Sequence, residues 1–240
     1  MKTTGLSSRI AALSSALPSA GVEGQATSRP GTCRKSASKL CEWVGPSWWP
    51  PPPGMLLAVP STAADAKGLL KAAIRDDNPV VFIEHEYLYG QRGDVPDDDD
   101  HVVDFGQAAI TRDGDDVTIV GISRMAITAL KAADILAKDH EIEAEVIDPR
   151  TLRPLDLDTI LESVRKTNRV VIVEEGWPHG GVGANLAALI QEQAFDHLDA
   201  PVARVTGADL PMPYSKPLEQ IAYPHEPQVV EAVLATFRDL

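Results

Sequence analysis

The residues best placed to do chemistry lie in one short stretch. Gly180, Gly181 and Gly183 follow the pair Glu174-Glu175 and open an apolar run, which is where a Gly-rich loop would turn backbone N–H groups towards a phosphate. The spacing fits neither G-x-G-x-x-G nor the P-loop, and no Lys-Ser/Thr follows. The glycines therefore read as a tight turn with close helix–sheet packing. His179 stands in the same turn beside Trp177, near the two carboxylates, and such a set could carry a proton. A lone loop histidine is more often a surface or interface residue. The six histidines show no HxH or HxxxH spacing, so metal catalysis has no support. Cys33 and Cys41, the only two cysteines, build neither a disulfide framework nor a tetrahedral metal set by themselves and fit a reducing compartment. The run Asp97 to Asp100 lacks the spaced acceptors, turn glycine and terminal Glu of a calcium loop and reads as a solvated turn. There is no G-x-S-x-G elbow and no Cys–His nucleophile signature. From these residues alone the chain is α/β without a self-contained active site.

Composition narrows the classes further. A formal net charge of −13 argues against a nucleic-acid surface, which needs clustered Lys and Arg to release counterions. No run approaches the roughly 18 apolar residues of a membrane span, which argues against a membrane protein.

The elements that must position any site begin after residue 63. Residues 64–74 (ADAKGLLKAAI) have helical periodicity, with Leu69, Leu70, Ala73 and Ile74 on one helical face and Asp65 in the first turn. A buried strand is expected at 80–84. Beyond the turn-rich stretch 90–100, strands are expected at 117–122, 144–147, 170–173 and 202–205. Helices are expected at 125–138, 157–166, 182–195 and 228–237. Alternating strands and helices, with near-continuous Val/Ile strands, predict a mostly parallel, doubly wound sheet covered on both faces. No internal repeat is present, which excludes a propeller or solenoid.

Residues 1–52 differ from the rest. They are rich in Ser, Arg, Lys and Pro, and Glu23 is the only acid before Glu42. An organelle presequence over the first forty residues, a disordered tail and an out-of-frame segment all fit. The abrupt onset of coherent pattern near Pro53 favours the last.

Three strings carry a family resemblance: ADAKGLLKAAIRDDNPVVFIE (64–84), VIDPRTLRPLDLDTILESVRKTNRVVIVEEGWP (146–178) and FDHLDAPVARVTGADLPMPYSKPLE (195–219). They resemble beta subunits of thiamine-diphosphate-dependent 2-oxo acid dehydrogenases, from about Pro53 to Leu240. The string 174–178 looks like the pyruvate enzymes, while 81–87 leans towards branched-chain and acetoin relatives. The resemblance implies that 53–93 is the last part of a pyrimidine-binding domain, 94–115 a linker and 116–240 a C-terminal domain of the transketolase type. It implies oxidative decarboxylation of a 2-oxo acid, pyruvate first, with acyl transfer to lipoyl groups, by the intact protein.

In that family a Glu and a His of the beta subunit act on thiamine diphosphate, and the alpha subunit holds the diphosphate and magnesium. Both residues belong upstream of Pro53, in strings this sequence lacks, so no catalytic or cofactor-binding residue is carried over and the chain alone is expected to be inactive. Two sites do map by resemblance. A potassium site would use Ala73, Ile74, Asp76 and Asn78, at a helix end whose last carbonyls lack partners; the plain alternative there is a helix stop and turn. A docking site for the dihydrolipoyl acyltransferase core would use Asp199 and Leu240, where an exposed carboxylate suits a basic helix; the plain alternative for Asp199 is a turn residue. The resemblance further implies an alpha-subunit partner in a heterotetramer. It implies a bacterial-type cytoplasmic location, or the mitochondrial matrix if residues 1–40 are a presequence. A non-catalytic assembly module is the competing function.

Overall fold

A computed structural model describes residues 53–98 and 100–238. The expectations for 1–52 and for Leu240 lie outside the described residues.

The strongest pattern in the sequence makes the centre of the molecule. Strands β4 (Val117–Gly121), β5 (Ala144–Asp148) and β7 (Val170–Val173) are buried along their whole length. With β3 (Ala109–Arg112) and β8 (Ala203–Val205) they form a five-stranded sheet in the order β3-β5-β4-β7-β8, all parallel except edge strand β3, which runs antiparallel to β5. Burial on both faces is why these strands read as unbroken Val/Ile runs instead of alternating.

Each face is covered by two helices. Helices α2 (Arg124–His140) and α6 (Glu226–Thr236) close one core around Val117, Ile119, Leu136, Val171 and Val233. Helices α3 (Leu157–Thr167) and α4 (Val182–Ala194) close the other around Val120, Ile147, Ile160, Ile172 and Ile190. Each such fully buried side chain contributes roughly 1.5–3 kcal/mol of transfer free energy. Helix ends follow from local chemistry. The Asp156 carboxylate accepts from Thr159 N to start α3, Asn168 ends it in the left-handed region at φ 59, and Glu141 ends α2 at φ 56. Thr118 is buried in β4 at no cost in lost hydrogen bonds, because its hydroxyl meets Ser163 at 2.6 Å and Thr167 at 2.7 Å on α3.

A smaller sheet stands beside this one. Strand β1 (Leu56–Ala58) pairs parallel with β2 (Val80–Phe82) across helix α1 (Ala63–Arg75), and antiparallel with β6 (Thr151–Arg153). Leu57, Val59 and Leu152 pack together with Val81, Ile83, Ile122 and Val182, so this sheet shares its core with the loop after β4 and the start of α4.

Two features depart from the sequence pattern. The buried face of α1 is Asp65, Gly68 and Leu69, whereas Leu70 is 44% and Ile74 75% exposed. The cause is Gly68: a Cβ there would lie 2.5 Å from a methyl of Val103, so the helix presents its smallest residue to the chain and turns Leu70 and Ile74 outward. Strand β2 is half-buried and shorter than expected, because β1 flanks it on one side only. Strands β1, β3 and β6 and the seven-residue helix α5 (Lys216–Ala222) were not foreseen. Strand β3 lies within 94–115 and belongs to the large sheet.

Candidate functional site

In the doubly wound order the chain leaves β4 through α2 to β5 on one side, then returns through α3 to β7 on the other. The crevice between the C-terminal ends of β4 and β7 is thus the point where the winding reverses, the place where open α/β sheets take ligands. Here it is filled by the protein itself. After β4, Ser123 adopts φ 54 and ψ −127, and this turn aims Arg124 across the crevice at Glu175, which follows β7. Glu175 also meets His85 Nε2 at 2.7 Å, while His85 Nδ1 accepts from the Tyr87 N–H at 3.2 Å. Both ring nitrogens are therefore engaged within the chain.

The guanidinium of Arg124 lies 5.3 Å from the ring centre of Tyr87 and 4.8 Å from that of Tyr223, and the two rings meet edge-on at 6.2 Å. Their hydroxyls converge on Glu219, Tyr87 at 2.8 Å and Tyr223 at 3.0 Å. The electrostatics are those of a closed clasp. Burial alone would push the Glu175 carboxyl up, but His85 and Arg124 together outweigh it and hold the carboxyl below its usual range. Burial and the Glu219 carboxylate push Tyr223 up, and the Glu219 hydrogen bond does the same to Tyr87. The arrangement can hold residues 85–89 onto the large sheet and offers no free acid or base.

The glycine turn has an equally internal explanation. The Glu174 side chain is buried and accepts from Gly183 N–H at 3.0 Å. A Cβ on Gly183 would lie 2.5 Å from that carboxylate, and one on Gly181 2.7 Å from it. The positive end of α4 is thus occupied by the chain's own anion, and a phosphate there would meet both a filled space and a like charge. Burial raises the Glu174 pKa, with the Gly183 N–H and Arg204 opposing. His179 is exposed, 3.7 Å from Asp209.

A second buried cluster joins the two sheets. Asp148, at the end of β5, accepts from the Ser61 hydroxyl and, at 2.9 Å, from the Arg150 N–H. Arg150 reaches Asp65 at 2.9 Å, and Asp65 in turn pairs with Thr62 at the start of α1. Burial, opposed by these donors, raises Asp148 from its ordinary 3.8 to about 6. A cleft of about 200 Å³ opens beside the cluster, lined among others by Ser61, Thr62, His85, Tyr89 and Arg92.

Of the residues singled out from sequence, Ala73, Ile74, Asp76 and Asn78 come together at the end of α1. Asp76 N–H donates to Ala72 O at 3.0 Å, and Asp76 Oδ1 accepts from Asn78 N at 2.8 Å and Nδ2 at 2.9 Å. One oxygen of Asp76 is therefore committed to the turn that stops the helix. Asp199 is 3.2 Å from Arg169, which lies 4.6 Å from the Phe237 ring centre and donates to Thr236 O at 3.2 Å, so Asp199 sits close to the end of α6. Asp98 closes a turn onto Asp100 N–H at 2.8 Å, and among the described residues no group of His, Cys, Asp or Glu is arranged to hold a metal ion. Of the clasp residues, Glu175 was singled out from sequence, beside His179, whereas His85, Tyr87, Arg124 and Tyr223 escaped sequence reasoning. The usable signal was the sheet order, which puts residues 123–124 and 174–175 at one crevice.

Comparison with known proteins agrees with this architecture. Residues 106–229 match the family model described as transketolase, C-terminal domain. The pyruvate dehydrogenase E1 component subunit beta of Rickettsia felis is 53% identical over 181 residues, covering 75% of this chain and 55% of that protein. The mitochondrial subunit of the same name from Dictyostelium discoideum is 50% identical over 189 residues, covering 78% of this chain and 53% of that protein. The chain thus spans about half the length of these curated relatives. Among solved structures, a chain titled split gene transketolase, inactive beta4 tetramer, superposes with a TM-score of 0.62 at 31% identity, over 77% of this chain and 57% of that one. With more than half of its residues inside the matched model, this chain belongs to the transketolase C-terminal domain family.

Proposed function

We propose that this chain is a beta-subunit segment of a thiamine-diphosphate-dependent pyruvate dehydrogenase and that its part is assembly: it supplies surfaces, not the acid–base groups of decarboxylation. The observation that carries this is the filled crevice. At the reversal point of the sheet, Arg124 and His85 both pair with Glu175, and the helix end that could cradle a diphosphate holds Glu174. The described residues thus do not fit thiamine diphosphate, and no step of its chemistry is assigned to them. About half identity to pyruvate dehydrogenase beta subunits over three quarters of the chain supports pyruvate as the substrate of the whole enzyme.

On this reading the partners are the alpha subunit of the same component and the dihydrolipoyl acyltransferase core, with Asp199 and the residues around Leu240 as the docking point for the latter. Ala73, Ile74, Asp76 and Asn78 are the candidate potassium ligands. Both bacterial and mitochondrial proteins stand among the relatives, and the compartment follows the source of the chain. Among the described residues no helix is long and apolar enough to cross a membrane. Co-expression with a tagged alpha subunit from a matching source tests the proposal. Stoichiometric co-purification is expected, and a chain that stays free of the alpha subunit at every salt concentration overturns it.

A further inference from the structure

The crevice filled by the clasp is not the one place where this fold could take a ligand. Strands β1 and β2 run parallel and are joined by α1, and ligands of α/β units sit outside the carboxyl ends of such strands. The cleft of about 200 Å³ lies there, between the start of α1 and the segment after β2. Pro60, Ala66, Leu88 and Ile127 give it apolar walls. Most polar groups around it are spent inside the chain: Ser61 donates to Asp148, Thr62 pairs with Asp65, and His85 pairs with Glu175. Two charged side chains are not. Glu84 accepts from the Tyr89 hydroxyl at 3.1 Å, and neither Glu84 nor Arg92 forms an ion pair among the described residues, although both line the cleft. Opposite charges that border one small space attract each other. Standing apart, they offer a negative and a positive pole to a single occupant.

We infer that this cleft binds a small zwitterion of the α-amino acid class with an apolar side chain, its carboxylate on Arg92 and its ammonium on Glu84. Three features choose the class. The volume is below the roughly 300 Å³ at which pockets begin to take drug-sized ligands, so the occupant is small. The two unpaired charges have opposite signs: a simple anion would be repelled by Glu84 and a simple amine by Arg92, whereas a ligand carrying both charges is matched at each end. The apolar walls suit a short hydrocarbon side chain. Both poles are exposed to solvent, which screens them, and the affinity is accordingly weak, on the order of 1 mM. The inference goes beyond the assembly role proposed above and does not rest on it.

Titration of the isotope-labelled full chain with valine, followed by amide chemical shifts, tests this. Two controls each lack one pole: 3-methylbutanoate has no ammonium and 2-methylpropylamine no carboxylate. Saturable shifts with valine are expected, confined to residues 60–66, 84–93 and the start of α2, with each control about fivefold or more weaker. Arg92→Gln and Glu84→Gln should each weaken valine by a similar factor while the circular dichroism stays unchanged. Absence of saturable shifts up to the solubility limit of valine overturns the inference. So do shifts elsewhere in the chain, controls that bind as tightly as valine, or folded variants that bind it as the native chain does. Should a variant misfold, the comparison of valine with its two controls on the native chain decides. Failure of valine to bind would leave the proposed function standing, and failure of the alpha subunit to bind would leave this site standing.

Discussion

Replacing Asp148 by Asn should make the protein more stable at neutral pH and do little in acid. Asp148 is fully buried, and its pKa in the folded chain is raised from 3.8 to about 6. The sign is opposite to that of a salt-bridged carboxylate. Between 3.8 and about 6 the folded state holds a proton that the unfolded state has released, so stability falls as pH rises through that window, and the loss is complete above it. The separation of the two values corresponds to about 3 kcal/mol at pH 7, an upper bound, and to about half of that near pH 5. Asn keeps an oxygen for the Arg150 N–H and offers an N–H to Ser61, whose hydroxyl can turn to accept it. Urea unfolding of the wild-type and Asp148→Asn chains at several pH values between 4 and 8 measures the difference. The expected result is a gain of about 1–3 kcal/mol at pH 7.5 that shrinks towards zero near pH 4. A variant destabilised at all pH values, or a gain that does not change with pH, would refute the reasoning, because it would mean that the buried carboxylate is not held against its own desolvation.

Three further outcomes follow from the same geometry. Gly183→Ala drives a methyl into the Glu174 carboxylate and should cost about 1–3 kcal/mol in chemical denaturation, while Glu174→Gln in the same background restores no room and should not rescue it. At Ser123, whose φ and ψ suit glycine, Ser123→Gly should be more stable than Ser123→Ala by about 1 kcal/mol, and equal stabilities would show that the turn is unstrained. Asp199→Lys sets a cation against Arg169 and should weaken binding to the subunit-binding domain of the acyltransferase and flatten its salt dependence, as read by calorimetry at two ionic strengths.

The large sheet was legible because its strands are buried on both faces, so 117–121, 144–148 and 170–173 stand out as Val/Ile runs long enough to register. Strands β1 and β6 have three residues each, too few for any period, and their pairing with one another is a property of the folded chain. Helix α1 is legible from its period, but its buried face only in part: Leu69 is buried, whereas Leu70 and Ile74 turn outward because close approach at Gly68 and the buried Asp65 set the orientation. At the site, the glycine cluster correctly signalled tight packing, though not that the packed group is the neighbouring Glu174. The clasp was illegible for a different reason. His85 and Glu175 are 90 residues apart, no spacing rule joins them, and only the order of the strands brings them to one crevice.

Reconstituted turnover tests the central claim most directly. The full chain is combined with alpha subunit, thiamine diphosphate, magnesium and pyruvate, and carbon dioxide release is followed. Stable association with no release above the alpha-subunit background is the predicted result. Turnover approaching that of an intact two-subunit enzyme, abolished by Glu175→Gln, would contradict it, since it would place a working acid–base group in the crevice assigned here to a closed clasp.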